Sequence, residues 1–182
     1  MSKEDYLEKG NVYLFHQTPP KLALDLMQFI PLVKDDVVYE PFAGEDAFYN
    51  AFPHYVHKDW SEITRGRDYI DYKESYDWVI TNPPFKLPND QGVSKNAIFN
   101  LLLYFAERAS KGIAFFVSTN GLNSLTPYRI AKMNALGFYI QSLTVCAVKE
   151  WRGRYYFIIW IKQPSSFFNC LLPTYSNKIE LK

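Results

Sequence analysis

The chain is poor in the residues that build metal centres and disulfide frameworks. Its 182 residues include two cysteines and three histidines. Cys146 and Cys170 lack metal-ligand spacing, and an isolated pair of this kind reads as reduced core thiols. His16, His54 and His57 form no ligand set, so no metal is expected. The apolar run Tyr155-Tyr156-Phe157-Ile158-Ile159-Trp160-Ile161 is far shorter than the roughly 20 residues of a membrane-spanning helix and reads as a central strand. Met1-Ser2-Lys3-Glu4-Asp5 opens no secretory signal, so an intracellular, cytoplasmic setting is expected. Acidic residues are scarce in the second half. Gly92 to Lys182 holds 11 Lys and Arg against 3 Asp and Glu, whereas Met1 to Gln91 holds 9 against 16. A net charge of +1 therefore conceals halves of +8 and −7.

What is present suits one well-packed domain. Hydrophobic residues make up 48% of the chain and aromatics 18%, enough for one good core, and the length is too small for two comfortable domains. No repeat, low-complexity linker or boundary stands out, so a single domain over 1–182 is expected. The segment from Lys21 to Ile30 has apolar residues at helical spacing, with Thr18 as the expected N-cap and proline in the first turn. Strands are expected at Val37 to Glu40, within His54 to Ile63, at Asp77 to Thr81, at Gly112 to Val117, and around Val145 and Phe157. Helices are expected over Ala97 to Ala109 and Leu125 to Leu136, the latter closed by Gly137. Alternation of this kind predicts an α/β fold with a mostly parallel sheet covered on both faces and an antiparallel final strand.

The segment Asp77-Trp78-Val79-Ile80-Thr81-Asn82-Pro83-Pro84-Phe85 carries the strongest chemical signal. A strand that runs straight into two prolines leaves in a rigid extended turn whose carbonyls can accept hydrogen bonds. Asn82 adds an amide oxygen and Phe85 a flat apolar face. Such a turn can grip an amino group while stacking a planar ring, and an exocyclic base amine meets both demands. Upstream, Val37-Val38-Tyr39-Glu40-Pro41-Phe42-Ala43-Gly44-Glu45-Asp46-Ala47-Phe48 reads as a strand, a small-residue turn and a helix start. Ala43 and Gly44 let backbone approach a ligand closely, and Glu40 at the strand end can accept from an amino group. A strand-end carboxylate about twenty residues past such a loop takes ribose hydroxyls. Glu62 in Trp60-Ser61-Glu62-Ile63 is the choice and Asp59 its rival.

Together these motifs resemble the S-adenosylmethionine-dependent amino-methyltransferases that modify N6 of adenine, whose signatures are Asn-Pro-Pro followed by Phe or Tyr and Asp-Pro-Phe-Ala-Gly-x-Gly. The resemblance runs from Gln17 to about Lys162 and implies a class I methyltransferase Rossmann-like sandwich. It makes Asn82, Pro83, Pro84 and Phe85 catalytic. Around the S-adenosylmethionine cofactor it places Gln17, Thr18 and Pro19 at the methionine end, with Glu40, Pro41, Phe42, Ala43 and Gly44 in the loop and Glu62 at the ribose. Asp68 and Tyr69, within Arg65-Gly66-Arg67-Asp68-Tyr69-Ile70-Asp71, fall at the adenine. Two departures stand in the loop: Glu40 for Asp, and Asp46 for the second Gly. The Asp46 carboxylate would crowd the carboxylate of the cofactor.

The implied reaction is methyl transfer to N6 of adenine in nucleic acid, with DNA ahead of RNA. A non-catalytic methyltransferase-like subunit of a heteromer and a protein glutamine methyltransferase are the other readings. The basic half supplies candidates for a nucleic-acid face in Lys86, Lys95, Arg129, Lys132, Lys149, Arg152 and Arg154. Only 100 residues follow Asn82, too few for a separate target-recognition domain. Specificity is then expected from short loops such as Lys86 to Lys95, from a partner subunit or second protomer, or from a structured substrate, the alternative being low specificity.

Overall fold

The computed structural model describes residues 17–89, 92–94, 96–149, 151 and 153–163. Helix α1 spans Pro20–Met27 and leads to strand β1, Val37–Glu40, short helix α2, Ala47–Ala51, and strand β2, His57–Trp60. Two single 3-10 turns, Ile63–Arg65 and Tyr69–Asp71, precede β3, Tyr76–Thr81. A hairpin of β4, Leu87–Asn89, and β5, Gly92–Ser94, follows, then α3, Ala97–Ala106, and β6, Ala109–Ser118. The chain continues through α4, Thr119–Asn123, and α5, Pro127–Ala135, into β7, Tyr139–Cys146, and β8, Tyr155–Ile161.

Six strands form one sheet in the order β2-β1-β3-β6-β8-β7. The first four are parallel, and β8 runs antiparallel to both of its neighbours. The central strands are near-continuous apolar runs because both faces of the sheet are covered. Trp78, Ile80, Ala114, Phe116, Phe157 and Ile159 pack under Ala23 and Leu26 of α1 and Phe48 of α2. On the opposite face Val79, Ile113, Phe115, Ile158 and Trp160 meet Leu101, Leu102 and Phe105 of α3 and Ile130 and Met133 of α5.

Local chemistry sets the ends of these elements. Gly137 takes φ +84° after α5, and Phe138 N–H returns to Met133 O at 3.0 Å, closing the helix with a left-handed turn. Proline opens α1 as expected, but the N-cap is Pro19 rather than Thr18. Thr18 lies one residue further out, and its hydroxyl has another partner, described below. The segment after Phe85, expected as a loop, is an antiparallel hairpin pairing Leu87 with Ser94 and Asn89 with Gly92. At the sheet edge where the parallel strands begin, buried Asp36 pairs with Lys111, and Asp77 accepts from Val37 N–H at 3.0 Å and from the Ser110 hydroxyl. These bonds tie the amino ends of β1 and β3 to the start of β6. Among the described residues no helix is long and apolar enough to cross a membrane.

Candidate active site

Three segments far apart in sequence meet at the carboxyl edge of the sheet. The register of Tyr39 on Val79 brings the ends of β1 and β3 level, so Glu40 and Asn82 leave neighbouring strands at the same edge, while β6 runs on past Phe115 to Ser118. After Glu40 the chain turns through Gly44 at φ +52° and Asp46 at φ +64° before α2 begins. The room at Gly44 is used by Gln17: a Cβ there would lie 2.8 Å from Gln17 Oε1, which also accepts from Glu45 N–H at 3.3 Å. One residue on, Thr18 is buried, and its Oγ1 accepts from Asn82 Nδ2 at 3.2 Å. Pro19 is half-buried at the helix cap, while Pro41 and Ala43 are buried and Ala43 N–H bonds Ser61 O at 3.0 Å. The residues before α1 are thereby pinned on one side to the β1–α2 loop and on the other to the turn after β3.

Carboxylates at this edge have distinct circumstances. Glu40 is only 2% exposed, and its Oε2 has no hydrogen-bond partner. Burial pushes its pKa well above the usual carboxylate range, and the nearby Asp46 and Glu62 charges act in the same direction. Thr81 Oγ1, fully buried at the end of β3, is also without a partner. Glu62 is buried as well, but its oxygens accept from Gly44 N–H at 2.9 Å, Thr64 N–H at 3.0 Å and Thr64 Oγ1 at 2.7 Å. Three of roughly four lone-pair positions are thus engaged, and one of them holds the loop itself. Asp59 instead accepts from Trp60 N–H and pairs with Arg67 at 2.9 Å, with no bond to the loop. Arg65 grips both oxygens of Asp46, a partner that the sequence did not indicate.

An aromatic wall stands beside the loop. Phe42 and Tyr69 lie 5.0 Å apart between ring centres, and both approach Phe105 of α3. Asp68, half-buried, uses Oδ1 to cap its own 3-10 turn through Ile70 N–H at 3.1 Å, which positions Tyr69. In the Asn82–Phe85 turn Pro83 is buried, Pro84 half-buried and Phe85 37% exposed.

The basic candidates separate in space. Lys86 is exposed directly after Phe85. Lys149 and Arg154 are exposed in the connection between β7 and β8, and Thr119 N–H and Oγ1 hold that connection through Arg154 O at the end of β6. It therefore lies on the same sheet edge as the Asn82–Phe85 turn. Lys132 is exposed on α5. Arg129 is a tie between helices: it donates to Asn96 Oδ1 and Ser124 O, both at 2.6 Å, and lies over the Phe99 ring. Lys95 and Arg152 lie outside the described residues. Sequence reasoning did not single out Arg65 or Trp151. Trp151 is half-buried at this edge against Phe116 and Tyr155. The signal for Arg65 was the misplaced Asp46 itself, since a carboxylate in a tight loop calls for a cation nearby.

Comparison with known proteins agrees with this architecture. No protein-family model and no curated protein sequence matches the chain. Solved structures do match. A Listeria monocytogenes protein assigned as a class I S-adenosylmethionine-dependent methyltransferase aligns with TM-score 0.58 at 13% identity, over 80% of this chain and 59% of that one. A methyltransferase from Pyrococcus furiosus aligns with TM-score 0.56 at 13% identity, over 81% of this chain and 84% of that one. TrmN from Thermus thermophilus aligns with TM-score 0.56 at 13% identity, over 81% of this chain and 50% of that one. The chain spans little more than half the length of the first and half that of the third. Its fold is the class I methyltransferase fold: a mixed α/β sandwich around a mostly parallel sheet with an antiparallel strand.

Proposed function

We propose that this protein transfers a methyl group from S-adenosylmethionine to the N6 amine of adenine in nucleic acid, with DNA as the first substrate to test. The observation that carries the reading is the bond from Asn82 Nδ2 to Thr18 Oγ1, which orients the amide of the Asn-Pro-Pro-Phe turn and ties it to the segment lying on the Gly44 loop. A methyl-accepting site and a methyl-donor cradle are then parts of one construction. The residues suit the donor. Glu40 offers a buried carboxyl oxygen without a partner to a cationic amino group, and the missing side chain at Gly44 lets Gln17 lie against the loop. In this reading Glu62, which also holds Gly44 N–H, takes the ribose hydroxyls, and Phe42 and Tyr69, 5.0 Å apart between ring centres, flank the adenine ring with Asp68 next in the chain.

When bound, S-adenosylmethionine supplies a methyl group on a positively charged sulfur. Asn82 Oδ1 and the Pro83 carbonyl accept from the two hydrogens of the target amine, drawing its lone pair out of conjugation and aiming it at that methyl. The N–C bond forms as the S–C bond breaks, and the amine's surplus proton leaves to water. Phe85, exposed beside the turn, gives a flipped or single-stranded base a surface to stack on. The short hairpin of β4 and β5 follows Phe85 directly and is the nearest element that can read what surrounds the target base.

The test is transfer from methyl-labelled cofactor to matched single-stranded DNA, duplex DNA, RNA and a glutamine-containing peptide, with the product identified by mass spectrometry. Label on N6 of adenine in DNA is the expected result, and label confined to RNA would move the substrate while keeping the chemistry. Cofactor binding with no transfer to any acceptor would favour a non-catalytic subunit, and label on glutamine would overturn the nucleic-acid reading.

A further inference from the structure

Asp46 occupies a left-handed position, φ +64° and ψ +23°, at the start of α2, and makes no side-chain bond to the helix it precedes. Its carboxylate is turned to the segment after β2, where Arg65 Nη1 meets Oδ2 at 2.9 Å and Arg65 Nη2 meets Oδ1 at 2.6 Å. The guanidinium lies 3.9 Å from the centre of the Trp60 ring. A two-pronged guanidinium–carboxylate pair backed by an aromatic face is far more directional than a lone surface ion pair. Both side chains are about one-third exposed, so the pair is partly shielded from salt and not immune to it. Beside it, Glu62 Oε2 accepts from Gly44 N–H at 2.9 Å. Two struts thus run from residues 62–65 to residues 44–46, one to backbone and one to a side chain.

A carboxylate at position 46 raises two difficulties. L-residues resist the left-handed region, Asp less than most, and a third carboxylate joins Glu40 and Glu62 around one loop. Arg65 answers both, since it holds the turn by its fork and is the cation among the three. We propose that Arg65 is a positioning residue for the donor-binding loop: through Asp46 it locks the loop shape and draws the carboxylate away from the ligand's own. This rests on the reading of the Gly44 loop as the S-adenosylmethionine cradle.

Because Arg65 acts through Asp46, its effect must vanish when Asp46 is removed. Affinity for S-adenosylmethionine is measured by calorimetry for the wild type, Arg65→Met, Asp46→Gly and the double variant, at low and high salt. Glycine at 46 keeps the left-handed turn without its carboxylate. Arg65→Met is expected to raise Kd about tenfold in the native background and less than about twofold beside Asp46→Gly. The wild type should lose affinity with salt and Arg65→Met should not. In the ligand-free proteins, amide exchange at Asp46 and Ala47 should be faster in Arg65→Met, and Arg65→Lys, which keeps charge without the fork, should recover only part of the affinity. An equal loss in both backgrounds would mean that Arg65 touches the ligand itself or supports the fold generally, and would overturn the inference. So would an unchanged Kd in both. A wild type that does not bind S-adenosylmethionine would overturn the reading of the site, and this inference with it.

Discussion

The amide of Asn82 joins residues 64 positions apart, and Thr18 sets its orientation from the far side of the site. Replacing Asn82 with Ala removes the acceptor and should cut kcat by about a hundredfold or more while cofactor affinity holds, since that acceptor gains its worth in the transition state. Turnover above roughly a tenth of wild type would count against its role. Glu40 behaves differently because burial raises its pKa. Folding therefore favours the protonated form: the stability this gives is present below the ordinary carboxylate range and is lost as pH climbs toward the raised value. Glu40→Gln should flatten that slope and stabilise the ligand-free protein at neutral pH by about 1 kcal/mol or more, in urea titrations across pH. The same substitution should weaken S-adenosylmethionine binding, since a cationic amine needs the carboxylate. A variant that binds normally would show that Glu40 is a buried structural acid.

At the scale of elements, the contact between β3 and β6 is the least forgiving. Gly112 on β6 faces the indole of Trp78 on β3 so closely that a Cβ would lie 2.1 Å from one ring carbon and 2.5 and 2.6 Å from two others. Gly112→Ala should cost about 2–3 kcal/mol in urea unfolding, because a rigid ring in a packed core must move. An unchanged midpoint would mean that the indole has room to shift. The elements themselves were largely legible. Both central strands and α3 are apolar runs whose burial needs no distant information, and Gly137 closes α5 by a local rule. The β4–β5 hairpin and the single-turn helices were not legible, since short polar stretches carry too few periodic positions to announce their state. Thr18 misled for a related reason: its setting suits a helix cap, and its partner was in the distant turn after β3.

For the whole molecule, the charge division gains meaning from topology. Because β8 runs antiparallel to β6, the connection carrying Lys149 and Arg154 returns to the edge where β3 gives way to Asn82 and, four residues on, exposed Lys86. Neutralising Lys86, Lys149 and Arg154 together should weaken nucleic-acid binding and flatten its salt dependence by roughly one unit of log–log slope for each phosphate no longer neutralised, with cofactor affinity unchanged. Identical slopes would return these residues to ordinary solvation. Arg129→Gln should act on stability and leave the slope alone, because its guanidinium is spent on Asn96 and Ser124.

By itself the sequence determined the order of the six sheet strands and of helices α1, α3 and α5, the rigid proline turn at Asn82 to Phe85 and the small-residue loop at Gly44, because proline, glycine and buried apolar runs act through neighbouring backbone. The tertiary structure alone decided which groups meet: Thr18 with Asn82, Gln17 with Gly44, Arg65 with Asp46, and the basic β7–β8 connection with the sheet edge that carries Asn82. These contacts depend on strand order and register, and a charged or amide side chain looks the same in sequence whether it faces solvent, a helix or a partner on another strand.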